Sequence, residues 1–211
     1  MERPDSLIFD MDGTLWDGVE AYAQGFNDFF RHHGSVRRLK KSEIVGFMGM
    51  EESAFLEATL PEWPEEIRKQ LYQEVAEHQY GRIQRDGGIL FEGVREGLHA
   101  LSENFRLFIV SNCPALAIEY FMDWADIRYW ITDSIAHGSN YQPKHVNIRE
   151  LITRHGLQRP VYVGDTDSDR KQAELVPLPF IFVDYGFGEA QKFDLKAPSF
   201  SELVAMVSVL D

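Results

Sequence analysis

Two acidic clusters, each closing a short apolar run and lying near opposite ends of the sequence, constrain this chain more than any other feature. Asp10-Met11-Asp12-Gly13-Thr14 follows Leu7-Ile8-Phe9, and Gly164-Asp165-Thr166-Asp167-Ser168-Asp169 follows Val161-Tyr162-Val163. Short runs of β-branched and aromatic residues bounded by Gly and Asp read as buried strands. An ionised carboxylate at the tip of such a strand needs water, a cation or hydrogen-bond donors. If the two strands lie parallel and side by side, their tips share the sheet edge where α/β folds bind ligands, and the acids converge. At an effective dielectric near 20, two carboxylates about 4 Å apart repel by roughly 4 kcal/mol, so several together require a metal ion, shared protons or a neighbouring cation. The pattern points to a Mg²⁺ site. Either cluster alone reads as well as strand-end turn chemistry, which also favours Asp-Gly; their joint occurrence favours a site.

The remaining pattern places those strands in one domain with an insertion. Val19, Tyr22, Phe26, Phe29 and Phe30 recur at three- and four-residue spacing, which predicts an amphipathic helix over residues 17–33 that ends before Gly34. Pro64 suits the first position of a second long helix with Ile67, Leu71, Val75 and His78 along its stripe. From Phe91 onward short apolar runs alternate with helices, as in a parallel α/β sheet. Strands are predicted near 106–111, 129–132, 160–164 and 179–183, and helices near 94–103, 114–125, 145–155 and 168–175. Asn112 or Cys113 is the expected cap of a helix opening at Pro114, and Ser199-Phe200-Ser201-Glu202 has the capping-box pattern before a last helix. Gly186 and Gly188, after the last predicted strand, either admit close backbone approach to the site or make a turn. The fold class is therefore α/β: a Rossmann-like parallel-sheet core with helices on both faces, formed by residues 1–16 and 91–211, and an inserted all-helical cap, residues 17–90.

Charge and cysteine content narrow the partners. The 34 acidic and 21 basic residues leave a net charge of −13 without a long basic block, which argues against nucleic acid or an anionic membrane surface and for a small molecule. The polar start Met1-Glu2-Arg3-Pro4-Asp5 is unlike a signal peptide, and no apolar stretch reaches membrane-spanning length. The single cysteine, Cys113, suits a reducing cytoplasm. It reads as a small residue packed beside a site loop, with a reactive thiol as the alternative.

Asp10-Met11-Asp12-Gly13-Thr14-Leu15, Ser111 closing Leu107-Phe108-Ile109-Val110, Lys144, and the 164–169 cluster together resemble the four motifs of the haloacid dehalogenase-like hydrolases, in the helical-cap branch that includes phosphoglycolate phosphatases and β-phosphoglucomutases. The resemblance spans nearly the whole chain. It implies a phosphatase in which Asp10 is the nucleophile and forms an aspartyl phosphate, and Asp12 protonates the leaving oxygen and then activates water. Mg²⁺ would be held by Asp10, the backbone carbonyl of Asp12 and Asp165, with Asp169 assisting. Thr14, Ser111, Asn112 and Lys144 would bind the phosphoryl group of a small phosphorylated metabolite, and the insertion would act as a lid.

The chain also departs from that pattern. Pro143 precedes Lys144 where the family has proline after the lysine, Asp17-Gly18 replaces an Asp-Ser pair, and Ala173-Glu174-Leu175-Val176-Pro177 lacks the usual small residues. Asp12 argues against a dehalogenase, which has no leaving oxygen to protonate. A phosphomutase keeps the same aspartates and stands as the alternative. A phospho-receiver module shares the acids and lysine but has a different motif order and no such insertion. The substrate and the oligomeric state stay open. Arg37, Arg38, Lys40, Lys41 and the run Gly46-Phe47-Met48-Gly49-Met50 either read the leaving group or form a solvated basic turn and core packing.

Overall fold

The structure is a computed structural model that describes residues 1–48, 50 and 52–210. Its elements follow in chain order: β1 (Ser6–Phe9), β2 (Trp16–Asp17), α1 (Val19–His32), α2 (Lys41–Phe47), α3 (Glu52–Thr59), α4 (Glu65–Asp86), β3 (Ile89–Leu90) and α5 (Val94–Ser102). Then come β4 (Arg106–Ser111), α6 (Ala117–Ala125), β5 (Asp133–Ala136), α7 (His137–Asn140) and α8 (Lys144–His155). The chain finishes with β6 (Pro160–Gly164), α9 (Asp167–Glu174), β7 (Phe180–Val183), β8 (Leu195–Ala197) and α10 (Phe200–Ser208). It divides into two compact units, Met1–Asp17 with Ile89–Asp211, and Gly18–Gly88.

In the first unit, six parallel strands run in the order β5-β4-β1-β6-β7-β8. This is the Rossmann-like arrangement: the strand sequence starts centrally at β1, moves outward through β4 and β5, then returns to the other side of β1 as β6. The switch point lies between β1 and β6, where such sheets open their ligand crevice at the carboxyl ends. Register pairs Phe9 with Ile109 and with Val163, so Asp10, Ser111 and Asp165 all emerge at that edge from three adjacent strands. The strands are apolar on successive residues because both sheet faces are covered. Ile8, Phe108 and Tyr162 pack with Ile148 and Leu151 of α8 and Ala173 of α9. On the opposite face Phe9 stacks on Phe200 of α10, ring centroids 6.0 Å apart. Each fully buried large apolar side chain contributes roughly 1.5–3 kcal/mol. The antiparallel pair β2–β3 clasps the points where the chain leaves this unit and returns to it.

The Gly18–Gly88 unit consists of α1–α4. All five stripe residues of α1 are buried. α4 runs back along α1, with Arg82 gripping Asp28 (2.6 and 2.9 Å) and Glu74 bound to His33 (2.8 Å). The expected stripe of α4 needs correction. Ile67 is 39% exposed and the buried residues are Val75, Ala76, Gln79, Tyr80 and Ile83, because the 22-residue α4 outruns the 14-residue α1 and packs against it through its second half. His78 lies half-buried beside the Phe29 and His32 rings. Arg37 is tied inward, donating to Ala58 O at 2.9 Å with its guanidinium over Phe30, while Arg38 and Lys40 are exposed. Gly49 lies outside the described residues.

Three further expectations fail locally. The strand expected at 129–132 lies later, at Asp133–Ala136, and Arg128–Trp130 forms a 3₁₀ turn whose Tyr129 is 91% exposed. The aromatic residues carry the stronger β-propensity, but pairing with β4 decides, and it begins where Thr132 N reaches Leu107 O. The helix expected to open at Pro114 starts at Ala117, with Leu116 rather than Asn112 or Cys113 as its cap, because the preceding loop binds α7 through Cys113 O and Gly138 N. The strand before Gly186 is not the last: β8 follows as a three-residue edge. Ser199 does cap α10, its Oγ accepting from Glu202 N at 3.2 Å.

Candidate active site

The turn after β1 is tight. Met11 O accepts from the amides of Thr14, Leu15 and Trp16, and Gly13 N returns to Trp16 O. Gly13 adopts φ +83°, a region that favours glycine, and a Cβ there would lie 2.2 Å from Asp165 Oδ2. This geometry turns both carboxylates of the first cluster into defined positions. Asp10 continues the sheet ladder through its N–H to Val163 O (2.8 Å). Asp12 accepts from Trp16 Nε1 at 3.0 Å, a partner that no local motif predicts.

Asp10, Asp165 and Asp169 each present a carboxylate oxygen within 4.8 Å of the others, all three buried. Among the described residues this is the group with metal-holding geometry; the Asp12 carboxylate stands outside it. Lys144, first residue of α8 and 6% exposed, sends its ammonium to Asp10 Oδ1 (2.9 Å) and Asp169 Oδ1 (2.7 Å). The contact with Asp10 is an ion pair that misses hydrogen-bond alignment, so that buried oxygen has no hydrogen-bond donor. Pro143 before Lys144 acts as the cap position of α8 and leaves the lysine free to enter the site.

The other two acids are held by their neighbours. Asp169 Oδ2 accepts from Thr166 N (3.2 Å) and Thr166 Oγ1 (2.6 Å), while Thr166 Oγ1 takes Asp169 N, a capping box at the start of α9. Its Oδ1 also accepts from the buried Tyr162 hydroxyl at 3.3 Å. The Thr-x-x-Asp spacing carries the first of these signals in the sequence; no local pattern carries the second. Asp165 accepts from Thr14 Oγ1 (3.4 Å) and from Phe187 N (2.7 Å), so Thr14 directs its hydroxyl at this carboxylate. Tyr185 reinforces the turn by donating to Thr14 O at 2.9 Å. Ser111 is buried at the end of β4, and Asn112 beside it is exposed.

Gly186 and Gly188 lie where backbone comes close to the acids. A Cβ on Gly186 would stand 2.3 Å from Gly13 O and 2.4 Å from Asp165 Cβ, neither of which can swing aside. Gly186→Ala is therefore expected to cost about 1–3 kcal/mol of stability, the usual range for overpacking. Thermal unfolding checks it, and an unchanged midpoint would show that the loop yields to the added methyl group.

Electrostatics in this pocket favour a cation. Burial pushes Asp10 up to about 6, with Lys144 pulling it down and Asp169 pushing it further up. Burial, then the charges of Asp169 and Asp10, raise Asp165 well above the usual carboxylate range. One ammonium faces three acids, one acid oxygen lacks a donor, and all side-chain ligands are hard oxygens. This donor set fits a hard divalent cation rather than a thiolate- or imidazole-bound metal. Burial, then the charge of Asp12, pushes the Cys113 thiol well above its ordinary value, which disfavours the reactive thiolate.

The family model described as haloacid dehalogenase-like hydrolase matches residues 7–183. The phosphoglycolate phosphatase of Rhodobacter capsulatus is 28% identical over 194 residues, covering 86% of this chain and 85% of the relative. The phosphoglycolate phosphatase of Escherichia coli (strain K12) is 22% identical over 219 residues, covering 91% and 86%. Among solved structures, one described as a predicted phosphoglycolate phosphatase from Haemophilus somnus superposes with a TM-score of 0.83 at 18% identity, covering 98% of this chain and 99% of the other. A haloacid dehalogenase-like family hydrolase from Streptococcus pneumoniae gives 0.78 at 22% identity, covering 97% and 98%. At these identities the structural likenesses carry the fold.

Proposed function

The chain belongs to the haloacid dehalogenase-like hydrolases, and on that premise we propose that it is a Mg²⁺-dependent phosphatase that hydrolyses a small phosphomonoester through an aspartyl phosphate on Asp10. The observation that carries this reading is the Asp10 carboxylate itself: buried, its Oδ1 paired with the Lys144 ammonium, and gathered with the carboxylates of Asp165 and Asp169. A carboxylate at a strand end beside one cation, with two further acids able to hold another, is placed to act as a nucleophile once the repulsion between two anions is neutralised.

In the first half-reaction an Asp10 oxygen bonds to phosphorus as the bond to the leaving oxygen breaks, and Asp12 gives that oxygen a proton. In the second, Asp12 takes a proton from water, the water oxygen attacks phosphorus, and the Asp10–phosphoryl bond breaks to free phosphate. Trp16 supports this role for Asp12 by holding one carboxylate oxygen and so fixing the orientation of the acid. Mg²⁺ would be held by Asp10, the Asp12 carbonyl and Asp165 with help from Asp169, and would supply the positive charge that lets two anions meet. Lys144 adds a second positive charge against the phosphoryl oxygens, and Ser111 with the amides around Asn112 donates hydrogen bonds to them. Oxygen-only ligation and the presence of Asp12 support phosphoryl transfer over dehalogenation. The two curated relatives make phosphoglycolate the first substrate to test.

Hydrolysis and mutase chemistry part at the second half-reaction. In isotopically labelled water, with Mg²⁺ and a panel of small phosphomonoesters, label is expected in the released phosphate. Asp12→Ala is expected to slow both formation and breakdown of the phosphoenzyme by about 10²–10⁴. Hexose phosphates isomerised many times per phosphate released would establish a mutase instead.

A further inference from the structure

We propose that Gln172 is a positioning residue for Lys144, holding the first turn of α8 against α9 so that the ammonium stays on Asp10. The proposal rests on the reading above, in which Lys144 acts on the phosphoryl group. The first amides of a helix have no partners within it, and Pro143 at the cap position supplies no side-chain acceptor. α9 supplies one: Gln172 Oε1 accepts from His145 N at 3.0 Å. A backbone N–H can only donate, so the atom it meets is the amide oxygen. His145 Nδ1 lies 3.0 Å from the same oxygen and therefore carries its proton toward it.

Asp169 and Gln172 are three residues apart and so share one face of α9. Each grips one of two consecutive residues of α8: Asp169 takes the Lys144 ammonium at 2.7 Å, and Gln172 takes the backbone and ring of His145. Farther along, Arg149 Nη2 donates to Leu175 O at 2.9 Å, continuing the same helix contact. A lysine side chain has four rotatable bonds, so its ammonium keeps one place only when both ends are held. Asp169 holds the tip; Gln172 holds the backbone next to its root. Gln172 acts through Lys144: its hydrogen bonds go to the backbone and ring of His145.

The test compares Gln172→Leu, which removes both bonds, with Gln172→Glu, which keeps an acceptor, each alone and in a Lys144→Met background. With a saturating phosphomonoester and Mg²⁺, Gln172→Leu is expected to lower kcat about tenfold, since misplacement of a distant support by 1 Å costs up to about 10²-fold. Gln172→Glu should retain most of the wild-type rate. In Lys144→Met the effect of Gln172→Leu should vanish, because the two residues act on one path. Reductive methylation read by peptide mass spectrometry gives an activity-independent measure: Lys144 is expected to be protected in wild type and Gln172→Glu and modified in Gln172→Leu. A Gln172→Leu enzyme with normal kcat and protected Lys144, or a loss that persists in full without the Lys144 amine, overturns the proposal. If Lys144→Met turns over like wild type, the phosphatase reading of the site fails, and the methylation pattern still decides whether Gln172 holds Lys144.

Discussion

Asp10→Asn is expected to reduce turnover by about 10⁴–10⁶, the range seen when a nucleophile that works as part of a unit is removed, while the protein stays folded. The amide has nearly the shape of the carboxylate, and the anchor of Asp10 in the sheet is its backbone N–H to Val163 O, which the substitution leaves in place. What disappears is the charge opposite Lys144 and the nucleophilic oxygen. Rapid quenching with labelled substrate should trap phosphate on Asp10 in the wild type and none in the variant. Circular dichroism should match between the two. Turnover within tenfold of wild type by the Asn variant would remove covalent catalysis at Asp10 from consideration.

Asp165→Asn should invert its effect on stability according to whether Mg²⁺ is present. Burial, with the charges of Asp169 and Asp10, raises the Asp165 pKa, whereas an aspartate in the unfolded chain titrates near 3.9. The native state therefore binds the extra proton, and its ionised form is penalised. That penalty is absent below the unfolded pKa, grows as pH rises toward the raised native value, and is fully present above it. In chelator at neutral pH the uncharged Asn should accordingly unfold at a higher temperature than wild type, and the gap should close as pH falls toward about 4. Asn still offers an oxygen to Phe187 N, so the main loss is electrostatic.

Mg²⁺ reverses the order. At a hundred times Kd a ligand adds about 2.7 kcal/mol to the native state, or roughly 5–10 °C for a chain of this size. Wild type should gain that shift and full activity, and Asp165→Asn neither. Because metal-free Asp10 holds its proton up to a pH of about 6, Mg²⁺ binding should tighten between about pH 5 and 7 and release protons. Equal Mg²⁺ shifts in both proteins, or a less stable variant in chelator, would falsify a metal site built on Asp165.

Much of this architecture is legible in the sequence because burial writes itself into residue order. Leu7-Ile8-Phe9 and Val161-Tyr162-Val163 are apolar on successive residues, which only a strand covered on both faces tolerates, and each breaks into carboxylates where the strand leaves the core. Those two facts, with the alternation of apolar runs and helices after Phe91, point to a parallel α/β sheet with acids at its carboxyl edge, and the aromatic stripe of α1 points to the helical insertion. Weakly patterned elements were not readable in this way. β5 reads Asp-Ser-Ile-Ala and takes its place from pairing with β4, and β8 is three residues held at an edge.

The sequence by itself determined which acids stand at strand ends; only the tertiary structure decided what each acid meets. Lys144 reaches Asp10, 134 positions earlier in the chain, because the fold brings the first residue of α8 to the end of β1, and no local pattern encodes that approach. The same holds for the Phe187 amide on Asp165 and for Gln172 at the head of α8. The physical reason is one of range. Side-chain periodicity follows from contacts within a few residues, whereas the hydrogen bonds that satisfy a buried charge are made by whatever groups the packed core brings to it.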